Sequence, residues 1–597
     1  MKNIRLMTGA EAIVRGAIES GVRIISGYPG YPITGIMENA KKAGLDNLHA
    51  EWAPNEKVAL ETVLGASVAG FRGVAVMKQV GLNVAADGLM ATMTWGVRGG
   101  VVLVVGDDPG CDASPVEQDS RCYGCLANIP VLEPSTPEQG RQMVRTAFTV
   151  SEKYGLPILL RFTKEYVAMK GEVEQGEVFP SLELASKDML ATFCGLWTEP
   201  VKGHYLRHEK MGSILAELSR FNTQEINGNL GIITSGYASN LVDSALKKLD
   251  LQGKVSILRL GVIPSQDGTL QAFLSGVDQV LLVEVGEPLI EQQVRMLSKK
   301  PVFGKMTGHI SYVGALKADD LTLVMEKFVK GLHLEKWIPL TPTFRKIIGQ
   351  PFFGDMKGDP VMCPGCPGIG LQYSLKKLKE KYDLLVFGDN GCVDLGGLRP
   401  YETLDYATSM GGTTAAAHGA SISGKKGVAL IGDSAFMHSG IGGLMSMVTN
   451  NSKAATIVFD NLSTAMSGRQ LNPATGGSIG GQKTKKIWIE DLCRACGVED
   501  VAVVDPYNLK ECQEEIEKAI TREKVSVVIA RRECALLPGI NYGRAIVDLK
   551  KCNLCMECIE KIGCPALSFK ERIEIDEKCI GCMICGQICP EGAIYKI

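Results

Sequence analysis

Val428-Ala429-Leu430-Ile431-Gly432-Asp433-Ser434 leads into a helical stretch around His438–Thr449, and Thr456-Ile457-Val458-Phe459-Asp460-Asn461 follows. This run decides the fold. Two short apolar, β-branched segments flank a helical one, so the chain reads strand, helix, strand, and such a crossover is right-handed. That order places Asp433 and Asn461 together at the carboxyl ends of neighbouring parallel strands, where open α/β sheets bind ligands. A carboxylate and an amide oxygen are hard ligands suited to Mg²⁺, which takes a few protein oxygens together with phosphates. Gly432 lets the backbone approach a diphosphate, and the helix N-terminus behind it favours anions. Taken alone, an Asp capping a helix after an ordinary βα turn reads equally well.

The same alternation extends outward on both sides. Near the N-terminus, Thr8 and Glu11 form a capping box and Gly21 stops the helix. Val22–Ile25, Val74–Met77 and Val101–Val105 read as buried strands, and a helix runs from about Glu56 to Ala69. Residues from about Gly171 to Thr223 are weakly periodic and read as a connector. A second α/β unit begins near Leu230, with strands at Gly231–Thr234 and Val280–Val285 and helices at Tyr237–Lys248 and Pro288–Leu297. A Pro-rich break, Pro339 to Pro351, closes it, and the third α/β unit runs from about Val361 to Ile529.

The composition narrows the class. The chain has 597 residues, of which 45% are hydrophobic and 22% charged, as in ordinary globular proteins. Lys and Arg number 64 against 66 Asp and Glu, so no basic excess points to nucleic acid. Apolar runs such as Val101–Val105 are too short to span a bilayer, and Met1–Leu6 lacks the apolar core of a signal peptide, so a cytoplasmic location is expected. There are 19 cysteines, and eight of them fall in the last 46 residues. In a reducing compartment such density means metal rather than disulfides.

Those eight form an internal repeat. Cys552-x2-Cys555-x2-Cys558-x5-Cys564-Pro565 is followed, 27 residues later, by Cys579-x2-Cys582-x2-Cys585-x3-Cys589-Pro590. A cubane needs four thiolates, and this spacing supplies three from one loop and the fourth from the other half. The expected sets are Cys552, Cys555, Cys558 and Cys589 for one [4Fe–4S] cluster, and Cys579, Cys582, Cys585 and Cys564 for the other. Zinc ribbons use paired C-x2-C units rather than triple runs ending in Cys-Pro. The segment resembles the bacterial two-cluster ferredoxins, with a longer loop before Cys564. Two such clusters imply one-electron transfer.

The 432–461 run resembles the thiamine-diphosphate motif, G-D-G followed by N-N, with Ser434 and Asp460 departing from the commonest form. By that resemblance the third metal ligand is the main-chain carbonyl of Ser463. Two glycine loops, Gly388-Asp389-Asn390-Gly391-Cys392 and Ser409-Met410-Gly411-Gly412, are candidates to turn backbone N–H groups toward a diphosphate. Thiamine enzymes also need a carboxylate for the aminopyrimidine ring, and Glu56 is the candidate. On a helix it shares an apolar face with Leu60, Val63 and Ser67.

Taken in order, the motifs resemble the 2-oxoacid:ferredoxin oxidoreductases, and among them the α subunits of the indolepyruvate-type enzymes. The match includes Tyr28-Pro29-Gly30, Asn55–Glu61, Met77–Asp87, Glu117-Gln118-Asp119-Ser120-Arg121, Cys363-Pro364-Gly365-Cys366-Pro367, Gly432-Asp433-Ser434 with His438-Ser439-Gly440, and Thr464-Ala465-Met466-Ser467-Gly468. The resemblance implies an α/β fold of several parallel-sheet domains of the thiamine-diphosphate-binding type plus a small C-terminal two-cluster ferredoxin-like domain. The implied layout is a pyrimidine-binding domain (1–175), a connector (176–225), a transketolase C-terminal-like domain (226–340), a diphosphate-binding domain (350–538) and a ferredoxin domain (540–597). It implies thiamine diphosphate, Mg²⁺, two [4Fe–4S] clusters, coenzyme A as co-substrate, ferredoxin as acceptor, and a smaller β subunit in an α2β2 assembly. The activity it implies is oxidative decarboxylation of an aryl 2-oxoacid to an acyl-coenzyme A. The same chemistry on another 2-oxoacid and a non-oxidative decarboxylase are the alternatives. Tyr31, Lys78, Asn83, Asp87 and Arg121 become candidates to face substrate, with Glu56 on the cofactor. Gly391, Cys392, Gly411, Gly432, Asp433, Ser434, Asn461 and Thr464 become cofactor-binding candidates. Tyr31, Gln79, Cys122, Gly368 and Ile369 depart from the family pattern at plausible pocket positions. Cys363-x2-Cys366 also admits a thioredoxin-like redox pair.

Overall fold

The structure, a computed structural model, describes residues 3–43, 48–114, 116–179, 200–265, 268–331, 362–407, 410–422, 424–479 and 482–597. The Pro339–Pro351 break, Ser409 and part of the expected connector lie outside the described residues. The chain divides into two compact units, Met1–Thr343 and Phe344–Ile597.

The first unit holds two large sheets and a two-stranded antiparallel pair, Ile4–Thr8 with Lys170–Glu174. The larger has seven strands in the order Val262–Ile263, Val131–Leu132, Ile158–Thr163, Val101–Asp107, Gly73–Lys78, Ile24–Gly27 and His49–Trp52. All its pairings are parallel except the first. Val101–Asp107 is buried along its whole length, as a central parallel strand covered on both faces must be. The smaller sheet has five strands, Val302–Phe303, Gln279–Val283, Leu230–Ser235, Ser256–Leu260 and Thr223–Glu225. Two findings modify the sequence reading. Val262–Ile263, from the second α/β segment, pairs with Leu132 and Val131 and so edges the first sheet. The weakly periodic connector carries a 19-residue helix, Pro200–Leu218, and the strand Thr223–Glu225 at its end belongs to the five-stranded sheet.

In the second unit a six-stranded parallel sheet runs Tyr406–Ala407, Leu384–Gly388, Lys426–Gly432, Ala455–Asp460, Ser526–Arg531 and Asp500–Val504. Gly432 is in register with Phe459, so the Asp433 and Asp460-Asn461 turns leave the sheet side by side. The cysteine-rich tail is two antiparallel pairs, Ala545–Val547 with Ile594–Lys596 and Leu567–Phe569 with Ile573–Ile575. Its halves repeat in backbone as well as sequence. Leu554 and Gly581 are left-handed at φ 60° and 72°, and so are Met556 and Met583 at 63° and 62°. Each run then opens a short helix, Glu557–Glu560 and Ile584–Ile588.

Candidate active site

The diphosphate end of the site is built on the Gly432 and Asp460 turns. Asp433 is buried; its Oδ1 accepts from the Ser434 N–H at 2.7 Å, and its Oδ2 from the Ser463 N–H at 3.1 Å and Asn472 Nδ2 at 3.3 Å. Burial first, and the neighbouring Asp460 carboxylate second, push the Asp433 carboxyl up to about 7. Beside it Asn461 is buried, and its side-chain oxygen has no hydrogen-bond partner; the same holds for Ser463 Oγ. An orphaned buried acceptor costs roughly 1–3 kcal/mol. A divalent cation relieves both problems at once, since it stabilises the Asp433 carboxylate and gives the Asn461 oxygen a partner. Leu462, at φ 57°, makes the turn between Asn461 and Ser463. Asp460 holds that turn by accepting from the Leu462 N–H and from Arg531 Nε at 2.7 Å.

The glycines divide into two kinds. A Cβ on Gly432 or on Gly391 would meet nothing within 4 Å, so both border open space, as a cradle for a diphosphate requires. Gly411 is different. Its N–H donates to both Asp389 oxygens at 3.0 Å, and a Cβ there would strike Ser439 at 2.5 Å. Its expected role as a diphosphate donor is therefore corrected: it shapes the Asp389 loop, because its only N–H is spent on that buried carboxylate. Thr464 gives its N–H to Gln470 and accepts from Asn472 at 3.4 Å, so Asn472 links it to Asp433. The helix that begins at Asp433 passes through a π-turn, Phe436–Gly440, before continuing to Thr449. Such wide turns concentrate at functional sites.

Beside this turn lies a group of thiols that sequence spacing did not connect. Beyond burial, Cys392, Cys363 and Cys534 raise the Cys366 thiol, and Cys534 raises those of Cys363 and Cys392. Burial, then Cys534, Cys363 and Asp433, push Cys392 up to about 12. Cys534 donates its N–H to the Asn461 carbonyl at 3.0 Å, which ties the thiols to the Asp460–Asn461 turn. No local pattern announces Cys534, which stands alone 142 residues after Cys392.

The ferredoxin-like tail packs on the same unit. Tyr507 donates to the Gly365 carbonyl at 2.5 Å, Gln587 to the Tyr507 carbonyl at 2.7 Å, and Tyr401 to the Ile562 carbonyl at 2.5 Å. Cys552, Cys555, Cys558 and Cys589 border one common cleft. Cys579, Cys582, Cys585 and Cys564 form a second neighbourhood, each of Cys564 and Cys579 raising the Cys582 and Cys585 thiols. The Gly365 N–H donates to Cys564, so the Cys363–Cys366 loop touches this second set directly. Further N–H groups point at sulfur, from Ala593 to Cys589 at 3.3 Å and from Gly581 to Cys579 at 3.4 Å. Among the described residues no three of His, Cys, Asp or Glu close on a single-ion site. The first thiol set instead surrounds a volume, and donors to sulfur are a feature of iron–sulfur loops.

In the first unit Glu56 opens the helix Glu56–Val68 behind the Asn55 cap, whose side chain accepts from the Val58 N–H at 2.9 Å. It is buried, and its carboxyl lies against Gly81 so closely that a Cβ there would come within 2.3 Å of Oε1. Lys78 ends the strand Gly73–Lys78 and donates to the Ala113 carbonyl; burial lowers its pKa. Gln79 is fully buried and donates to Ser114. Tyr31 is exposed, with Lys164 and Asp108 close enough to act on its hydroxyl. Asn83 is exposed and pairs with Gln118 and Tyr123.

Three expectations are corrected here. Arg121 does not face a pocket. It is fully buried, forks onto Asp119, reaches Glu284 at 3.0 Å and donates to the Glu287 carbonyl. Its guanidinium is spent on joining the two large sheets of this unit. Gly368 and Ile369 open the helix Pro367–Lys381, and both are buried, with Gly368 against Cys366, Met362 and Phe459; they are packing positions. Asp87 is an exposed partner of Lys57 at 2.6 Å, a surface ion pair.

A buried carboxylate and amide at two parallel strand ends, beside open glycines, with an iron–sulfur-type tail on the same unit, define a thiamine-diphosphate enzyme that carries its own iron–sulfur domain. Residues 389–530 match the thiamine pyrophosphate enzyme C-terminal TPP binding domain, and residues 573–595 match the 4Fe-4S binding domain. The chain is 37% identical to the indolepyruvate oxidoreductase subunit IorA of Methanothermobacter marburgensis, over 98% of this chain and 96% of that one. It is 35% identical to that of Archaeoglobus fulgidus (98% and 97%) and 36% identical to that of Pyrococcus horikoshii (99% and 97%). The chain belongs to the indolepyruvate oxidoreductase subunit IorA family, whose members are thiamine-diphosphate-dependent 2-oxoacid oxidoreductases. The solved 2-oxoglutarate:ferredoxin oxidoreductase of Magnetococcus marinus overlaps 55% of this chain and 66% of its own at TM-score 0.43 and 17% identity, too loosely to add to the assignment. Among the described residues no helix is long and apolar enough to cross a membrane.

Proposed function

We propose that this chain is the catalytic subunit of an enzyme that oxidatively decarboxylates an aryl, indolepyruvate-like 2-oxoacid to its acyl-coenzyme A, and passes the electrons singly to ferredoxin. The observation that carries it is continuity within one unit. The Asn461 turn bonds to Cys534, the thiols of Cys363 and Cys366 adjoin it, and Gly365 bonds to Cys564 of the ferredoxin tail.

In this reading Asp433, Asn461 and the Ser463 carbonyl hold Mg²⁺, and Gly432 and Gly391 leave room for the diphosphate. Glu56 holds or moves a proton at the aminopyrimidine ring, its helix start fixed by the Asn55 cap and its carboxyl lying against Gly81. Thiamine diphosphate supplies the electron sink for loss of CO₂. Tyr31, Lys78 and Asn83 face the 2-oxoacid. Cys363, Cys366, Cys392 and Cys534 are thiolate ligands for a further iron–sulfur centre next to the cofactor, ahead of the Cys579 and Cys552 sets. Cys555 is exposed, so its set is the exit to ferredoxin. A smaller β subunit completes an α2β2 enzyme in the cytoplasm.

The test is a panel of aryl and aliphatic 2-oxoacids with ferredoxin reduction as readout, with and without coenzyme A. Coenzyme A-dependent reduction with indolepyruvate is expected. Aldehyde release without ferredoxin reduction would establish the non-oxidative decarboxylase instead. Cys582→Ser should cut ferredoxin reduction and lower iron by about four per chain, one cubane, while CO₂ release continues.

A further inference from the structure

The loop that follows the metal-binding turn is one-sided in charge. Between Asn461 and Ile489 there is no Asp or Glu, against Arg469, Lys483, Lys485 and Lys486, in a chain of net charge −2. The loop folds back into a ribbon that brings these cations onto adjoining turns. Thr464 bridges Gln470, and Gly477 bridges Lys483, both antiparallel. A Cβ on Gly477 would lie 3.1 Å from Leu471, and one on Gly476 would lie 2.9 Å from Lys486. Among the described residues none of the four cations forms an ion pair. The nearest carboxylates in sequence are already engaged, Glu490 by Arg531 and Asp491 by Arg494. Lys483 and Lys485 are exposed, and Lys486 Nζ sits 3.8 Å over the Trp488 ring.

The ribbon also touches the reaction site. The Arg469 N–H donates to the Thr464 carbonyl at 3.0 Å, its side chain lies near Cys363, and Asn472 donates to Asp433. Cations of like sign held together repel, and such a strip raises the local concentration of polyanions arriving from solvent. Phosphates are the strongest partners for it.

We infer that this ribbon is the landing site for the phosphates of coenzyme A, with Arg469, Lys483 and Lys485 meeting its diphosphate and 3′-phosphate. This rests on the reading of coenzyme A as acyl acceptor. The thiamine diphosphate phosphates are a poorer fit, because Asp433 and Asn461 mark their place as buried. An acidic carrier protein fits worse than coenzyme A, because the exposed thiol of its exit set, Cys555, lies in the ferredoxin tail.

The experiment uses the full enzyme with its partner subunit and the double variant Lys483→Glu/Lys485→Glu, with coenzyme A and 3′-dephospho-coenzyme A as probes. The KM for coenzyme A should rise tenfold or more, and its increase with salt should flatten, while the KM for the 2-oxoacid stays at the wild-type value. Wild type should prefer coenzyme A over the dephospho form, and the variant should lose that preference. An unchanged coenzyme A KM in an enzyme that still needs coenzyme A overturns the inference and leaves the function standing. A raised ferredoxin KM in its place makes the ribbon a protein-docking strip and also overturns it. A wild-type enzyme indifferent to coenzyme A removes both.

Discussion

Two buried charged centres invite comparison, the Asp433 turn and the Arg121 network. Both bury ionisable groups that isolated burial would strongly disfavour. They differ in what is left over. Arg121 is closed: its donors are met by Asp119, Glu284 and the Glu287 carbonyl. Its neighbour Arg161 is likewise bound to Asp107 and Glu133. The Asp433 turn is open: the Asn461 oxygen and Ser463 Oγ lack partners, and burial, with Asp460 beside it, pushes the Asp433 carboxyl up to about 7. Function is written in the unsatisfied atoms, stability in the satisfied ones. Loose ends exist in the closed network too, Glu133 Oε2 and Asp107 Oδ1, the latter residue at the cleft also lined by Glu117, Gly286 and Tyr312.

The sharpest way to break this contrast is a pair of opposite substitutions, beginning at the open site. Asp433→Ala should weaken cofactor binding on the order of a thousandfold, roughly 4 kcal/mol. The metal-free chain should keep its melting temperature or gain a little, because an uncompensated buried carboxylate has gone. Cofactor content after gel filtration and a thermal scan measure both; full occupancy would remove the metal assignment. Glu56→Gln should retain cofactor and lower turnover by about 10²–10⁴, the usual range for a positioned acid–base group. Exchange of the thiazolium C2 proton, followed by NMR, isolates that step. Arg121→Met should do the reverse of Asp433→Ala and cost about 3–5 kcal/mol of stability, since it strands Asp119 and Glu284. Denaturant unfolding reads this, and the folded fraction should keep its 2-oxoacid KM. A variant of normal stability with a raised KM would return Arg121 to the substrate.

The smallest expected effect concerns Lys305, a buried lysine of the closed network whose Nζ donates to the Ser311 carbonyl at 2.6 Å. Burial lowers it to about 8. Between about pH 8 and 10 the unfolded chain therefore holds the extra proton, so stability should rise with pH across that window, by up to about 3 kcal/mol. Lys305→Met should flatten the rise in a pH series of denaturation curves.

Much of the open site was legible because its signals are local. Apolar runs set the strands at Lys426–Gly432 and Ala455–Asp460, and Gly-Asp and Asp-Asn mark their ends. The two cysteine runs of the tail stand out by spacing alone. What escaped is set by distance in sequence. Arg121 read as a loop cation because Glu284 is 163 residues away, and Cys534 has no neighbour that announces it. The first inner strand begins at Ile24 rather than Val22, because the Val22 N–H closes the preceding helix on the Ala17 carbonyl. The Pro200–Leu218 helix was missed because only its second half is amphipathic, with Met211, Ile214, Leu215 and Leu218 buried.

The repeated left-handed turns of the tail carry a further consequence. In the second cysteine run one of the two turns is glycine, Gly581, where the conformation costs little; in the first it is Leu554, beside Met556. Each non-glycine residue held there costs about 1–2 kcal/mol. The two halves are therefore unequal springs, the Cys552–Cys558 loop wound tighter than its twin. In the proposed two-cluster enzyme ligation holds both wound, so gentle iron removal should release the first loop before the second. Proteolysis of partly stripped protein should then begin near Leu554, and reconstitution should restore the Cys579–Cys585 loop first.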